Sequence, residues 1–251
     1  MGITKTQGIV LKYTNLGEAD KILTILTRNK GKVRAVAKGC RKPKSSLLAS
    51  SEMFAFSEFV FYKGASLYHI SQAETRETFY NLRNDLLKLS YAVFFVELAD
   101  TVLQEEMVSE RLFLLLAKAL YYLAEGEHPI GLIHVAYQLK LMDISGYRPN
   151  LHHCVNCGET ESQSFKFDIE QGGLLCENCE KIGKNIVRIS PGSIEAMRIL
   201  LNTEISRLNT LKIDNTIFNE IDKLVKRFVA VHLDKQFKSL DFLEEIKNNQ
   251  K

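Results

Sequence analysis

Four of the five cysteines form two closely spaced pairs. Cys154 and Cys157 make one C-x-x-C pair, Cys176 and Cys179 make the other, and 18 residues separate the pairs. Each pair can present two thiolates from a single turn, and two pairs complete the tetrahedron that zinc prefers. The spacing therefore predicts one four-cysteine zinc site. Because four protein ligands leave no open position for water, we expect a structural and not a catalytic metal.

Two alternatives stay open at this site. His152 and His153 adjoin the first pair and could compete with a thiolate as ligands, although four thiolates are already present. The zinc could simply hold together an insertion that has too little core of its own, or the ribbon could itself touch DNA or a partner. Cys40 lies apart from both pairs and is expected to be a bystander.

A segment rich in basic residues is the second chemically distinctive feature. Positions 21–51 hold nine Lys or Arg and no Asp or Glu, whereas the other 24 basic residues face 30 acidic ones. A strongly basic segment on a mildly acidic chain favours a polyanion, and nucleic acid above all. The predicted nucleic-acid-binding residues are Arg28, Lys30, Lys32, Arg34, Lys38, Arg41, Lys42 and Lys44. The alternative is a solvated charged face without a ligand.

The same segment is expected to lie on a β-barrel. Side chains alternate along a strand, so Lys32, Arg34 and Lys38 should face one way and the intervening apolar residues the other. Such a row can follow a phosphate backbone without reading bases. Nearby aromatic residues could stack on bases or fill the barrel core; they are Tyr13, Phe54, Phe56, Phe59 and Tyr62.

Hydrophobic periodicity supplies the elements that hold these residues. Short strands separated by turn signals are predicted at 6–13, 21–27, 32–37, 54–62 and 67–73, which fits a small barrel such as an OB-fold. From about residue 79 the period becomes helical. The helix around 112–123 is apolar nearly all round and should be central, and Ser190 should cap a helix that begins with Pro191.

These elements predict a multi-domain α+β protein. Residues 1–77 form the OB-fold domain, and residues 78–251 form a helical domain that carries a zinc ribbon at about 150–187. Within the ribbon, 165–167 and 173–175 should form a hairpin across Gln171 and Gly172. The tail, 248–251, is expected to fray.

Several functions find no signature in the sequence. There is no P-loop, no H-E-x-x-H and no G-x-S-x-G motif, so no enzymatic activity is expected. A secretory signal and a membrane-spanning apolar stretch are also missing, which predicts a cytoplasmic protein without a membrane partner.

Several stretches resemble the RecO family of recombination mediators. They are residues 8–11, 17–20, 27, 31–32, 35–39, 41–45, 73–74, 167–179 and 238–243. The resemblance runs nearly end to end, and this chain keeps all four cysteines of the zinc-binding members. It implies an OB-fold followed by a helical domain with one structural Zn²⁺, acting at the nucleoid.

The resemblance also implies a function and partners. The expected activity is binding of single- and double-stranded DNA and annealing of complementary strands in DNA repair. The expected partners are RecR, the C-terminal tail of single-stranded DNA-binding protein and, indirectly, RecA, which the protein would help to load. The alternatives are a zinc-ribbon transcription or translation factor, another non-specific nucleic-acid-binding protein, and a zinc-dependent hydrolase acting on nucleic acid.

Overall fold

The structure is a computed structural model that describes residues 2–249, with side chains as far as Lys247. Residues 250 and 251 and the side chains at 248 and 249 lie outside it, and so does the expectation of a frayed tail. Two compact units are present. The barrel unit extends to Glu125 and includes the C-terminal segment from Lys238, and the ribbon unit is Gly126–Phe237.

Five strands close into the predicted barrel. They are β1 (Ile3–Leu16), β2 (Asp20–Thr27), β3 (Gly31–Ala37), β4 (Phe56–Lys63) and β5 (Tyr68–Glu77). The strand order around the barrel is β1-β2-β3-β5-β4. Only the β3–β5 pair is parallel, and the other pairs are antiparallel. This topology confirms the OB-fold. Its last strand ends at Glu77, where the sequence places the end of the first domain; a domain division at that point stays a prediction.

Side chains of β3 alternate between the barrel interior and the outside. Val33, Ala35 and Ala37 lie in the barrel core, while Arg34 is exposed and Lys32 is partly exposed. The predicted alternation over this strand is confirmed. Phe54 precedes β4 and adopts a left-handed backbone with φ of 70°, so this strand begins two residues later than the sequence predicts.

Seven helices lie within the described residues. They are α1 (Tyr80–Arg83), α2 (Leu86–Val102), α3 (Glu110–Glu125), α4 (Ile130–Ile144), α5 (Pro191–Asn202), α6 (Asn215–His232) and α7 (Lys238–Asn249). In the barrel unit, α2 begins where the Asp85 side chain accepts hydrogen bonds from the backbone N–H groups of Leu87 and Lys88. Helix α7 packs against α2.

The most buried helix is not the one that the sequence indicates. Helix α3, which the sequence indicates as central, exposes Leu114 and Tyr121. Helix α4 has that role in the ribbon unit, because every side chain from Leu132 to Met142 except Lys140 is buried. Both helices carry apolar residues on several faces, and only the packing partners decide which of them is enclosed.

A four-stranded sheet forms the rest of the ribbon unit. Its strands are β6 (Asn150–Cys154), β7 (Phe165–Asp168), β8 (Gly173–Cys176) and β9 (Ile186–Arg188), in the order β6-β8-β7-β9. Strands β7 and β8 pair antiparallel, which confirms the predicted hairpin. Ser190 caps α5 with Pro191 at the first position, as the sequence predicts.

Aromatic and hydrogen-bond contacts attach this sheet to the helices of its own unit. The Phe167 ring meets the Phe228 ring edge-on, with centroids 5.9 Å apart. His232 Nε2 lies 2.8 Å from the carbonyl oxygen of Ile169, and the Arg198 Nε–H donates to the carbonyl oxygen of Leu151 at 2.9 Å. The sheet is therefore held by α5 and α6 and does not depend on the cysteines alone.

Among the described residues, no helix combines the length and apolarity needed to cross a membrane.

Substitution of Gly31 by alanine should destabilise the barrel unit strongly. Gly31 has φ of 68°, and a Cβ there would lie 2.3 Å from the carbonyl oxygen of Met107. The left-handed backbone costs about 1–2 kcal/mol for alanine, and the steric overlap adds about 1–3 kcal/mol. Gly17→Ala is the matched control, because Gly17 has φ of 60° but open space around it. Urea unfolding followed by circular dichroism should show the larger loss for Gly31→Ala, and equal losses would contradict the steric argument.

Candidate metal centre and nucleic-acid interface

The four paired cysteines converge on one point of the ribbon unit. Their sulfur atoms all lie within 4.8 Å of one another, and the Sγ atoms of Cys157 and Cys176 are 3.6 Å apart. Four sulfurs bound tetrahedrally at about 2.3 Å from a zinc-sized ion would lie about 3.8 Å apart. Cys154, Cys176 and Cys179 are buried and Cys157 is exposed. The donor set and its spacing therefore fit one thiophilic metal ion.

Local backbone geometry explains why the sulfurs meet. Strands β6 and β8 are parallel neighbours that end at Cys154 and Cys176, so both cysteines lie at the same edge of the sheet, with Cys154 opposite Leu174 in the register. After each strand the chain turns back. The N–H of Gly158 donates to the carbonyl oxygen of Cys154 at 2.9 Å, and the N–H of Cys179 donates to that of Cys176 at 3.0 Å. Gly158 has φ of 80°, a conformation that glycine adopts without strain.

The thiols are held in unequal electrostatic surroundings. Burial raises the pKa of Cys154, but hydrogen bonds from the backbone N–H groups of Cys176, Cys157 and Asn156 outweigh burial and lower the pKa to about 6. A backbone hydrogen bond from Glu159 lowers the pKa of Cys157, yet its hydrogen bonds with the other three thiols raise it to about 12. Since thiolates repel one another at these distances, the cluster needs a bound cation to ionise fully.

The remaining cysteine and histidines lie outside this cluster. His152 and His153 are exposed, and His153 Nε2 lies 2.7 Å from Asn150 Nδ2. Cys40 is fully buried in the barrel core, in agreement with its expected bystander role. Among the described residues, the candidate ligand set is the four cysteines.

Loss of one thiolate should abolish tight metal binding. We expect the protein to bind one divalent metal ion per chain and Cys176→Ser to lose that ion to a chelator, because three protein ligands leave an open position. Cys40→Ala is the control, since Cys40 lies in the barrel core, and it should keep the metal. Metal content after dialysis against chelator measures both variants. Retention by Cys176→Ser would show that the cluster is not the site.

Four of the predicted nucleic-acid-binding residues lie together on one ordered loop. The basic loop, residues 38–44, follows β3 and exposes Lys38, Arg41, Lys42 and Lys44. None of the four has an ion-pair partner among the described residues. The basic loop therefore carries four exposed, uncompensated cations on seven residues.

Hydrogen bonds fix the basic loop to the turn between β1 and β2. The N–H of Gly39 donates to Asp20 Oδ1 at 2.7 Å. The N–H of Arg41 donates to the carbonyl oxygen of Ala19 at 3.0 Å, and its Nη1 donates to that of Gly17 at 3.1 Å. The loop thus presents its lysines from a defined backbone.

The other four predicted residues divide by their partners. Lys30 and Arg34 are exposed, with no ion pair among the described residues. Arg28 pairs with Glu110 at 2.6 Å, and Lys32 pairs with Asp100 at 3.1 Å. Two of the eight predicted residues are therefore paired with carboxylates of the same chain. The assignment of all eight to nucleic acid stays a prediction.

Sequence patterns missed Lys12, which lies on the same outer face. In the strand register Lys12 is opposite Thr24, and Thr24 is opposite Arg34. Strict alternation would turn Lys12 toward the barrel interior with Val10, but a bulge between these two residues turns it outward. Since a bulge leaves little trace in a hydrophobic pattern, only the register reveals this residue.

The five aromatic residues have different surroundings. Phe59 is buried in the barrel core, which confirms the core interpretation for it, and Phe54 is buried outside that core cluster. The Phe56 ring meets that of Phe113, and the Tyr62 ring stacks on His69 with centroids 5.0 Å apart. Tyr13 is 41% exposed and lies under Lys21 Nζ, 3.9 Å from the ring centroid.

The fold and the site define a class of protein: an OB-fold barrel with a basic loop, in one chain with a four-cysteine ribbon. Comparison with known proteins agrees with this class. The family profile described as Recombination protein O N terminal matches residues 1–79, and that described as Recombination protein O C terminal matches residues 83–241.

Named relatives match over nearly the whole chain. The DNA repair protein RecO of Alkaliphilus metalliredigens is 39% identical over 97% of this chain and 100% of its own length. The DNA repair protein RecO of Acetivibrio thermocellus is 34% identical over 98% of both chains. The chain belongs to the RecO family of DNA repair and recombination proteins.

Proposed function

We propose that this chain is a DNA-binding recombination mediator that anneals complementary strands and assists RecA loading in recombinational repair. The observation that carries the proposal is the basic loop, where Lys38, Lys42 and Lys44 project from a hydrogen-bonded backbone without neutralising carboxylates. Membership of the RecO family supports the role in recombination.

The chemistry of the loop suits annealing. Two complementary strands repel each other through their phosphates, and lysines that contact both backbones lower that repulsion. Contacts to phosphate do not fix the base register, so the strands can slide until they pair. The same contacts serve single- and double-stranded DNA. A role in DNA repair further implies a cytoplasmic protein that is associated with the nucleoid.

The proposed metal is one structural Zn²⁺ held by the four cysteines. When bound, zinc would supply four strong bonds to thiolate and cross-link the two C-x-x-C turns. Four thiolates complete its coordination, so no position is left to activate water, and a non-enzymatic protein is the consistent proposal.

Partners follow from the family. We propose RecR, the C-terminal tail of single-stranded DNA-binding protein and, indirectly, RecA. An acidic, apolar tail needs an apolar groove with cationic edges. The ribbon unit has an open groove lined by Ile199 and Leu211 together with Arg198 and Arg207. Glu195 and Glu204 also line it, and Glu195 pairs with Arg198 at 3.1 Å, so the charge of this groove does not by itself favour an acidic tail.

Removal of charge from the basic loop should weaken binding of single strands in a salt-dependent manner. For Lys42→Ala/Lys44→Ala we expect the slope of log K against log salt to become less negative by about 1.4, since each phosphate contact contributes about 0.7. Fluorescence anisotropy with unrelated oligonucleotides over a salt series measures the slope, and annealing of strands coated with single-stranded DNA-binding protein should slow in parallel.

The matched control removes two lysines elsewhere. Lys212 and Lys223 are exposed in the ribbon unit, and Lys212→Ala/Lys223→Ala should leave the slope unchanged. Equal effects of the two double variants would refute the assignment to the loop.

A strong preference for one sequence would instead fit a zinc-ribbon transcription or translation factor, and cleavage of labelled DNA in proportion to protein would refute the non-enzymatic proposal.

Zinc removal should separate metal binding from DNA binding. Chelation is expected to destabilise the ribbon unit and release the two C-x-x-C turns, because a structural zinc site contributes on the order of 10 kcal/mol to its module. The part of the sheet that contacts α5 and α6 should stay folded. Oligonucleotide affinity should stay largely unchanged, since the proposed contacts lie in the barrel unit. Circular dichroism and anisotropy on the same sample test both statements. A parallel loss of affinity would mean that the ribbon itself contacts DNA.

A further inference from the structure

One carboxylate bridges two lysines on the outer face of the barrel. Asp100 Oδ2 accepts a hydrogen bond from Lys12 Nζ at 2.6 Å, and Asp100 Oδ1 accepts one from Lys32 Nζ at 3.1 Å. Lys32 Nζ also donates to the carbonyl oxygen of Asp100 at 2.6 Å. The side chain of Lys32 is only 14% exposed, so water solvates little of its charge and Asp100 is its main counter-charge.

This face is concave, and Arg34, which has no ion-pair partner among the described residues, lies beside the bridged pair. Lys12, Lys32 and Arg34 line the concavity with Asp100 and Glu105, and Thr24 lies between Lys12 and Arg34 in the strand register. The outer face of strands 2 and 3 is where OB-folds commonly bind oligonucleotides. In this chain, the carboxylate of Asp100 occupies part of that face.

The fold holds Asp100 in place from both sides. It belongs to the last turns of α2, and the segment that follows docks on β3. The N–H of Glu106 donates to the carbonyl oxygen of Lys32 at 2.9 Å, and Glu105 forms a β-bridge with Lys32. Burial raises the pKa of Asp100, but hydrogen bonds from Lys12 and Lys32 outweigh this and lower it. The Asp100 carboxylate is thus an anion at neutral pH. Its two oxygens each accept a hydrogen bond from one lysine ammonium group, as two oxygens of a backbone phosphate could.

We propose that Asp100 is an internal substitute for a nucleic-acid phosphate: the face formed by Lys12, Lys32 and Arg34 is a second backbone-binding surface, and a strand must compete with Asp100 to occupy it. The proposal rests on the proposed DNA-binding function and adds a surface to it. Competition lowers the affinity of the second surface relative to the basic loop. A strand held there is easily exchanged, as annealing requires.

Neutralisation of the carboxylate tests the proposal directly. Asp100→Asn keeps the shape and the backbone carbonyl contact to Lys32 but removes the competing charge. Single-stranded oligonucleotide affinity should rise about tenfold at about 50 mM salt, with a slope steeper by about 0.7–1.4 and little change near 1 M salt. Anisotropy over a salt series measures affinity and slope together.

The chain offers a closely matched control on another part of the barrel. Glu58 on β4 also bridges two cations, with Lys5 at 3.2 Å and Arg76 at 3.1 Å. Glu58→Gln changes the net charge by the same amount, but Lys5 and Arg76 do not line the proposed surface, and Arg76 keeps its ion pair with Glu74 at 3.1 Å. It should leave the slope nearly unchanged. An equal gain from both variants would overturn the proposal, because the effect would then be one of overall charge.

Two further substitutions keep the proposal testable if Asp100→Asn loses its fold by circular dichroism. In the otherwise unchanged protein, Arg34→Ala should weaken binding more than Lys12→Ala does, because Lys12 is paired with Asp100 whereas Arg34 has no ion-pair partner among the described residues. Equal weakening by both would overturn the proposal. Wild-type protein that binds no DNA would refute the proposed function, whereas wild-type binding with an unchanged Asp100→Asn variant would refute this inference alone.

Discussion

Groups of like charge that a fold holds within a few ångströms of one another require a counter-ion, and both candidate sites of this chain follow from that requirement. In the ribbon unit, four sulfur atoms lie within 4.8 Å of one another, so full ionisation requires a cation among them. In the barrel unit the sign is reversed, because lysines and arginines gather on one strand pair and one loop. Some of them meet the chain's own carboxylates, and the rest stay open to an external polyanion.

The division between compensated and open cations is set by the backbone. Lys32 and Arg34 belong to the same strand, yet only Lys32 reaches Asp100. Among the described residues, no cation of the basic loop has a carboxylate at ion-pair distance, and hydrogen bonds attach the loop backbone to the turn between β1 and β2. Because the scaffold is hydrogen-bonded, these charges are arranged before a ligand arrives, which reduces the entropy lost on binding.

Local patterns were sufficient for the barrel strands, the hairpin of the ribbon and the four cysteines, since each depends on spacing over a few residues. They were insufficient for ion pairs, because Asp100 is 88 residues from Lys12 and 68 from Lys32. They also misplaced the most enclosed helix, because α3 and α4 are both rich in apolar residues and differ in what packs around them. The outward position of Lys12 depends on a β-bulge that no residue type in the sequence indicates.

The return of α7 to the barrel unit has a consequence for folding. The ribbon unit is a continuous stretch, Gly126–Phe237, so it can form from one uninterrupted segment of chain. The barrel unit instead needs the segment from Lys238 onward, which packs against α2 and follows the whole ribbon unit in the chain. Until that segment docks, the surface of α2 that α7 covers stays open to solvent and to chaperones. The barrel unit is thus completed by contacts between residues far apart in sequence, and contacts of this kind form slowly.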